Sequence, residues 1–186
     1  MVIWLATSLK AHGFHPGIVS RGYGGSAIAE PRRVASNSNA QQVGDEAVVI
    51  ARGSSCPVWV CADRRKAIQS LVNESPLVDV IISDDGLQHY AMPRDIEIAM
   101  IDGDRRFGNG LCLPSGPLRE SLDRLDQVDF RVVKGEVVEP GEFAMEIGGD
   151  RLVNLRTAGR QMSLGELSGQ VVHAVAGLGN PQPFFS

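Results

Sequence analysis

The sequence predicts an α/β fold: a mostly parallel sheet flanked by helices, with a small antiparallel insertion. Three observations lead there. Strand-sized apolar runs, such as residues 78–82, alternate with segments of helical periodicity. Glycine-rich or acidic turns follow the strand-like runs, at the edge where parallel sheets gather their ligands. Between about 130 and 155 the alternation gives way to short strands separated by polar turns.

Residues 1–10 carry apolar side chains at helical spacing and run into Gly13, a helix stop. No Ser, Thr, Asp or Asn precedes that first apolar turn, so the helix is expected to begin upstream. Residues 16–20 read as a short strand entering Arg21-Gly22-Tyr23-Gly24-Gly25, and a polar stretch continues to Gly44. Residues 45–52 and 63–72 read as helices and 58–61 as a strand, while 78–83 read as a β-branched strand buried on both faces. A further strand is expected at 96–101, then a Gly- and Pro-rich loop over 103–117 and a short helix from 119 or 120 to about 125. Residues 130–133, 143–147 and 152–155 form the antiparallel excursion, and the buried-strand pattern resumes at 171–176. The turn Gly177-Leu178-Gly179-Asn180-Pro181 and a helix starting near Pro183 complete the order.

Composition sets limits. With 186 residues and 43% hydrophobic side chains the chain can build a core of ordinary size. A net charge of -4 with 22% charged residues gives no basic surplus, so nucleic acid is not an expected partner. Cys56, Cys61 and Cys112 form neither a disulfide framework nor a paired metal motif, which suits a reducing compartment. The apolar runs are strand-sized, and no secretory signal pattern follows Met1.

The sharpest chemical feature is Ser83-Asp84-Asp85-Gly86-Leu87-Gln88-His89, two adjacent acids directly after an apolar strand. An acid at that place can hold Mg²⁺ directly or through water; the plainer alternative is a solvated turn with Asp85 as a helix cap. Asp45 and Glu46 follow Gly44 and open a helix at the same edge of the sheet, either as dipole-complementing cap residues or as a base within reach of a hydroxyl. In the long loop, Arg105 and Arg106 are available to phosphate or to solvent, and Glu120 has Arg119 as an ion-pair partner. The 21–25 turn lacks the lysine and hydroxyl of a phosphate-binding P-loop. His89 and His173 lack transition-metal spacing, and Cys112 has no activating neighbour in the sequence.

Taken together, Ser20-Arg21-Gly22-Tyr23-Gly24, Val43-Gly44-Asp45-Glu46-Ala47, Asp84-Asp85-Gly86-Leu87-Gln88-His89, Arg106-Phe107-Gly108-Asn109-Gly110 and Pro114-Ser115-Gly116-Pro117-Leu118-Arg119-Glu120 resemble the tetraacyldisaccharide 4'-kinase family in order and spacing over nearly the whole chain. The resemblance implies a partial P-loop-kinase domain over residues 1–186. It implies transfer of the ATP γ-phosphate to the 4'-hydroxyl of a tetraacyl glucosamine disaccharide 1-phosphate, a lipid A precursor, at the cytoplasmic face of the inner membrane. By the same match Asp45 is the base with Glu46 beside it, and Asp84 is the acid that helps hold Mg²⁺. Asp85 lies near the nucleotide, and Arg21, Gln88 and His89 serve substrate or phosphate. Arg119 and Glu120 are the active-site pair of the long loop, with Arg119 stabilising charge on the transferred phosphate.

Two departures accompany the match. The family's glycine-rich segment ending in Gly-Lys-Thr-Pro is expected before Met1, and an Asp-His-His stretch after Ser186. Without the lysine and its cradle of amides the chain alone is expected to be nearly inactive. The alternative is a truncated or degenerate remnant that at most binds lipid headgroup or Mg²⁺ through Asp84 and Asp85.

Overall fold

Side chains alternate across a pleated strand, and in the first unit, residues 1–99, that alternation builds two apolar layers. The computed structural model describes residues 1–26, 29–135, 139–149, 151–157 and 159–177. In it β1 (Pro16–Ser20) runs parallel to both its neighbours, β3 (Val58–Val60) and β4 (Val80–Ser83). The strand β2 (Arg32–Val34) pairs antiparallel on the far side of β3, giving the order β2-β3-β1-β4. Ile18, Val58, Val60 and Ile82 share one cluster with Ala6 of α1 (Val2–Ala11) and with Ala47, Val48 and Ile50 of α3 (Asp45–Ser54). Val19, Trp59 and Cys61 join the other, against Ala67 and Leu71 of α4 (Arg64–Glu74). Adjacent residues of one strand thus enter opposite clusters, and helices cover both. Each fully enclosed Val, Leu or Ile contributes about 1.5–3 kcal/mol.

The three longer helices form where periodicity places them. Asp63 caps α4 by accepting the Arg65 amide, and the Ser75 amide closes its end on the Leu71 carbonyl at 2.8 Å. Two elements fall inside the stretch read as polar loop: β2, of 3 residues, and α2 (Ala40–Val43), of 4. Both are shorter than the period that would reveal them. The expectation of a strand at 78–83 buried on both faces is corrected. β4 is an edge strand in its sheet, with Ile82 buried but Ile81 38% exposed, because no further strand of the described sheet covers that side.

The second unit, residues 100–186, begins within β5 (Ile98–Asp102), which with β6 (Phe130–Lys134) and β7 (Glu142–Met145) forms a sheet of order β5-β6-β7. Two 3₁₀ turns, Leu122–Gln127 and Leu164–Leu167, accompany it, the first replacing the helix expected to start at 119 or 120. β6 and β7 pair parallel, with Val132 opposite Phe143, where antiparallel pairing was expected. The antiparallel pair is the later one, β8 (Arg151–Val153) with β9 (Gln161–Ser163). Period-two alternation specifies which face a residue takes and leaves strand direction open.

Residues 171–176 form no strand: Val171 is 95% and Val175 86% exposed. An apolar run becomes a strand only when another backbone takes its hydrogen bonds, and no described strand pairs with this one. The turn beyond Gly177 and the helix expected near Pro183 lie outside the described residues. No described helix is long and apolar enough to cross a membrane.

Candidate functional site

Because β1, β3 and β4 are parallel, their carboxyl ends at Ser20, Val60 and Ser83 share one edge of the sheet. The chain leaves that edge by three routes: the 21–25 loop after β1, the start of α4 after β3, and the acidic turn after β4. Asp84 continues the β-ladder by one residue, its amide donating to the Val19 carbonyl at 2.9 Å. Its Oδ2 accepts the Ser20 hydroxyl at 3.3 Å. Burial pushes the Asp84 carboxyl above the usual carboxylate range; the Ser20 hydrogen bond opposes this, the negative neighbour Asp85 adds to it, and Arg64 opposes it.

Beneath the turn sits Arg64, 4% exposed. Its Nη2 donates to two successive carbonyls, Asp84 O at 3.0 Å and Asp85 O at 2.7 Å. Asp85 takes a left-handed backbone, φ 47°, a conformation Asp tolerates better than most residues. The third carbonyl of the turn, that of Gly86, accepts Arg94 Nη1 at 3.0 Å. Two arginines thus hold three consecutive carbonyls and leave the Asp84 carboxyl to Ser20 and the site. Burial lowers the Arg64 pKa, Asp85 opposes that, and nearby Arg21 reinforces it; an arginine stays charged regardless.

The glycines of the 21–25 loop serve contact with the start of α3. Gly44, φ 89°, passes so close that a Cβ there would lie 2.5 Å from the Tyr23 carbonyl oxygen, and one on Gly25 would lie 2.8 Å from the Gly44 nitrogen. Ser26 extends the seam, its amide donating to the Gln41 carbonyl at 2.9 Å. Gly44 itself is the N-cap position of α3, which leaves Asp45 and Glu46 in the exposed first turn. Asp45 Oδ1 accepts the Glu46 amide at 2.9 Å, and among the described residues its Oδ2 has no hydrogen-bond partner.

Gln88 is exposed and His89 half-buried in the turn after the acids. Burial, followed by the charge of Arg64, holds the His89 imidazole below its usual pKa, so it is neutral at pH 7. Among the described residues its buried Nε2 and the buried Ser83 hydroxyl have no hydrogen-bond partner. The structure thus gathers Asp84, Asp85, Arg21, Gln88 and His89 on the loops at this edge, with Asp45 and Glu46 reached through the docked 21–25 loop.

Arg119 and Glu120 belong to the second unit. There Glu120 pairs with Arg124 at 3.6 Å. Arg106 is no free phosphate ligand either: it makes a two-point contact with Glu142, at 2.9 and 2.8 Å, and a third with Glu139 at 2.9 Å.

Ser20, Arg64 and Arg94 went unassigned in the sequence reading. For Arg64 a signal exists: a cation at the first helical position opposes the helix dipole and so needs a partner elsewhere. A hard cation suits the donors here, since Mg²⁺ commonly takes one or two carboxylates together with phosphate oxygens, and the half-buried Asp84 carboxyl has Asp85 beside it.

Comparison with known proteins agrees over the whole chain. Residues 1–186 match the family model described as tetraacyldisaccharide-1-P 4'-kinase. Curated proteins named tetraacyldisaccharide 4'-kinase are similar: one from Methylobacillus flagellatus is 47% identical over 184 residues, covering 99% of this chain and 55% of its own length. One from Coxiella burnetii is 50% identical, covering 99% and 53%, and one from Nitrosococcus oceani is 49% identical, covering 100% and 54%. The chain spans about half the length of these relatives. In fold it is similar to a crystal structure of "apo" form LpxK from Aquifex aeolicus in complex with ATP, with a TM-score of 0.64 and 22% identity over 78% of this chain and 48% of that one.

Proposed function

This chain belongs to the tetraacyldisaccharide-1-P 4'-kinase family, and on that premise we propose that it supplies part of a kinase that moves the ATP γ-phosphate to the 4'-hydroxyl of a tetraacyl glucosamine disaccharide 1-phosphate. The observation that carries the reading is the half-buried Asp84 carboxyl, held between Ser20 and the Arg64-braced turn at the carboxyl edge of a parallel sheet. Asp84 is the residue to hold Mg²⁺, with Asp85 beside it; the cation, when bound, would neutralise charge on the phosphates. Asp45, in the exposed first turn of α3, accepts the proton of the attacking hydroxyl through its unpartnered Oδ2.

Glu46, Arg21, Gln88 and the neutral His89 are assigned to the headgroup and phosphates. Arg119 and Glu120 enter only through their match to the family's motif, with Arg119 countering charge on the transferred group. The cytoplasmic face of the inner membrane is the place this lipid substrate implies.

The test is a graft. Residues 1–186 replace the matched 184 residues of the Methylobacillus flagellatus relative, and transfer of labelled γ-phosphate to the disaccharide is measured. Transfer by the graft that is lost in its Asp45→Asn and Asp84→Asn forms supports the reading. A silent graft beside an active parent overturns it and leaves Mg²⁺ or headgroup binding as the rival.

A further inference from the structure

Between the acidic turn and β5 the chain runs from residue 84 to 97 without a helix or strand, yet it carries Gln88 and His89. A segment of that kind keeps its course only if side chains hold it. The Gly86 carbonyl is the point of attachment: it accepts the His89 amide at 2.9 Å and Arg94 Nη1 at 3.0 Å. The His89 carbonyl in turn accepts the amide of Met92, whose side chain is 6% exposed, at 3.0 Å. Arg94 is itself braced twice. Its Nε pairs with Glu97, both side chains being largely covered at 20% and 12% exposure, and its guanidinium lies 5.3 Å from the centre of the Tyr90 ring.

We propose that Arg94, braced by Glu97 and Tyr90, is a positioning residue that fixes the Gly86 carbonyl and so sets where Gln88 and His89 are presented; the inference rests on the kinase reading above. A planar, forked guanidinium is needed, because one group must face a carboxylate, lie over a ring and reach a carbonyl at once. A lysine ammonium is a point charge and meets only part of that demand. Arg94 touches no reacting atom in this scheme. It acts through the turn.

The test uses this chain and its Arg94→Lys and Glu97→Gln variants, read by amide hydrogen exchange. In Arg94→Lys the His89 amide should exchange roughly tenfold faster, the loss of one charge-assisted hydrogen bond, while the Ser75 amide at the end of α4 keeps its rate. Glu97→Gln should change the same amide by less, and it decides the matter if Arg94→Lys does not fold. An unchanged His89 amide, or equal acceleration at His89 and Ser75, overturns the proposal.

In the graft described above, Arg94→Lys should raise the KM for the disaccharide about tenfold with kcat within about threefold. A fall in kcat at constant KM contradicts positioning. If the unaltered graft transfers no phosphate, the kinase reading has failed, and the exchange result alone still decides the role of Arg94.

Discussion

Arg64 in the first unit and Arg106 in the second are each held by oxygen atoms, but the oxygens differ. Arg64 donates to the uncharged carbonyls of Asp84 and Asp85, whereas Arg106 meets the carboxylates of Glu142 and Glu139. Carbonyls fix a guanidinium without cancelling its charge, so Arg64 remains a positive source under an acidic turn, lowering the cost of the Asp84 anion and adding to the burial that holds the His89 pKa down. Carboxylates cancel it. Arg106 is spent on tying the root of its loop to β7, and its pairing explains why an arginine in a functional-looking loop is closed to phosphate. The same residue type is electrostatic machinery in one unit and a structural tie in the other, and only its partners tell which.

The largest effect that would break this contrast is at Asp84. Asp84→Asn in the graft should lower phosphate transfer on the order of a hundredfold or more. The same change should raise the melting temperature of the chain, because burial makes the native state prefer the protonated acid. The sign follows from linkage: with the folded pKa raised, the native state binds more protons, and stability falls as pH rises from the unfolded to the folded value. Asn removes that dependence, and a thermal melt at pH 7 that dropped instead would count against a partly desolvated anion.

Arg64→Met should destabilise by about 2 kcal/mol or more, since two carbonyls lose their donor, and it should raise the His89 pKa by removing the positive charge that helps depress it. Denaturant melts and histidine proton shifts measure the two effects.

Glycines sharpen the comparison next. Gly44→Ala places a Cβ 2.5 Å from the Tyr23 oxygen at φ 89°, so a loss of about 1–3 kcal/mol and release of the 21–25 loop are expected. Gly135→Ala, at φ 110° with nothing within 4 Å, should cost only the backbone term, about 1 kcal/mol. Equal costs would show that the crowded seam at Gly44 is not what holds the loop.

The smallest effect is at Glu142. Hydrogen bonds from Arg106 lower its pKa below the ordinary 4.5, so the tie is fully present above that value and is lost as pH falls through the lower folded one. Protease protection of the 103–118 loop should decline across that acid range in the unaltered chain. In Glu142→Gln it should be weaker at neutral pH and flat across the acid range.

The sequence by itself determined the layered α/β order. Short apolar runs at 16–20 and 58–61 and helical spacing at 45–52 and 63–72 report which side chains avoid water, and burial rewards that pattern locally. It also determined that acids and glycines follow the strands, which is why Asp45, Asp84 and Asp85 could be singled out. Tertiary structure decided what pattern cannot carry. Parallel pairing of β6 with β7, the edge position of β4 and the failure of 171–176 to form a strand all depend on which backbone lies alongside. The roles of Ser20, Arg64, Arg94 and Arg106 depend on oxygens contributed from distant or irregular segments. A hydrogen bond is satisfied in space, and spacing along the chain does not record it.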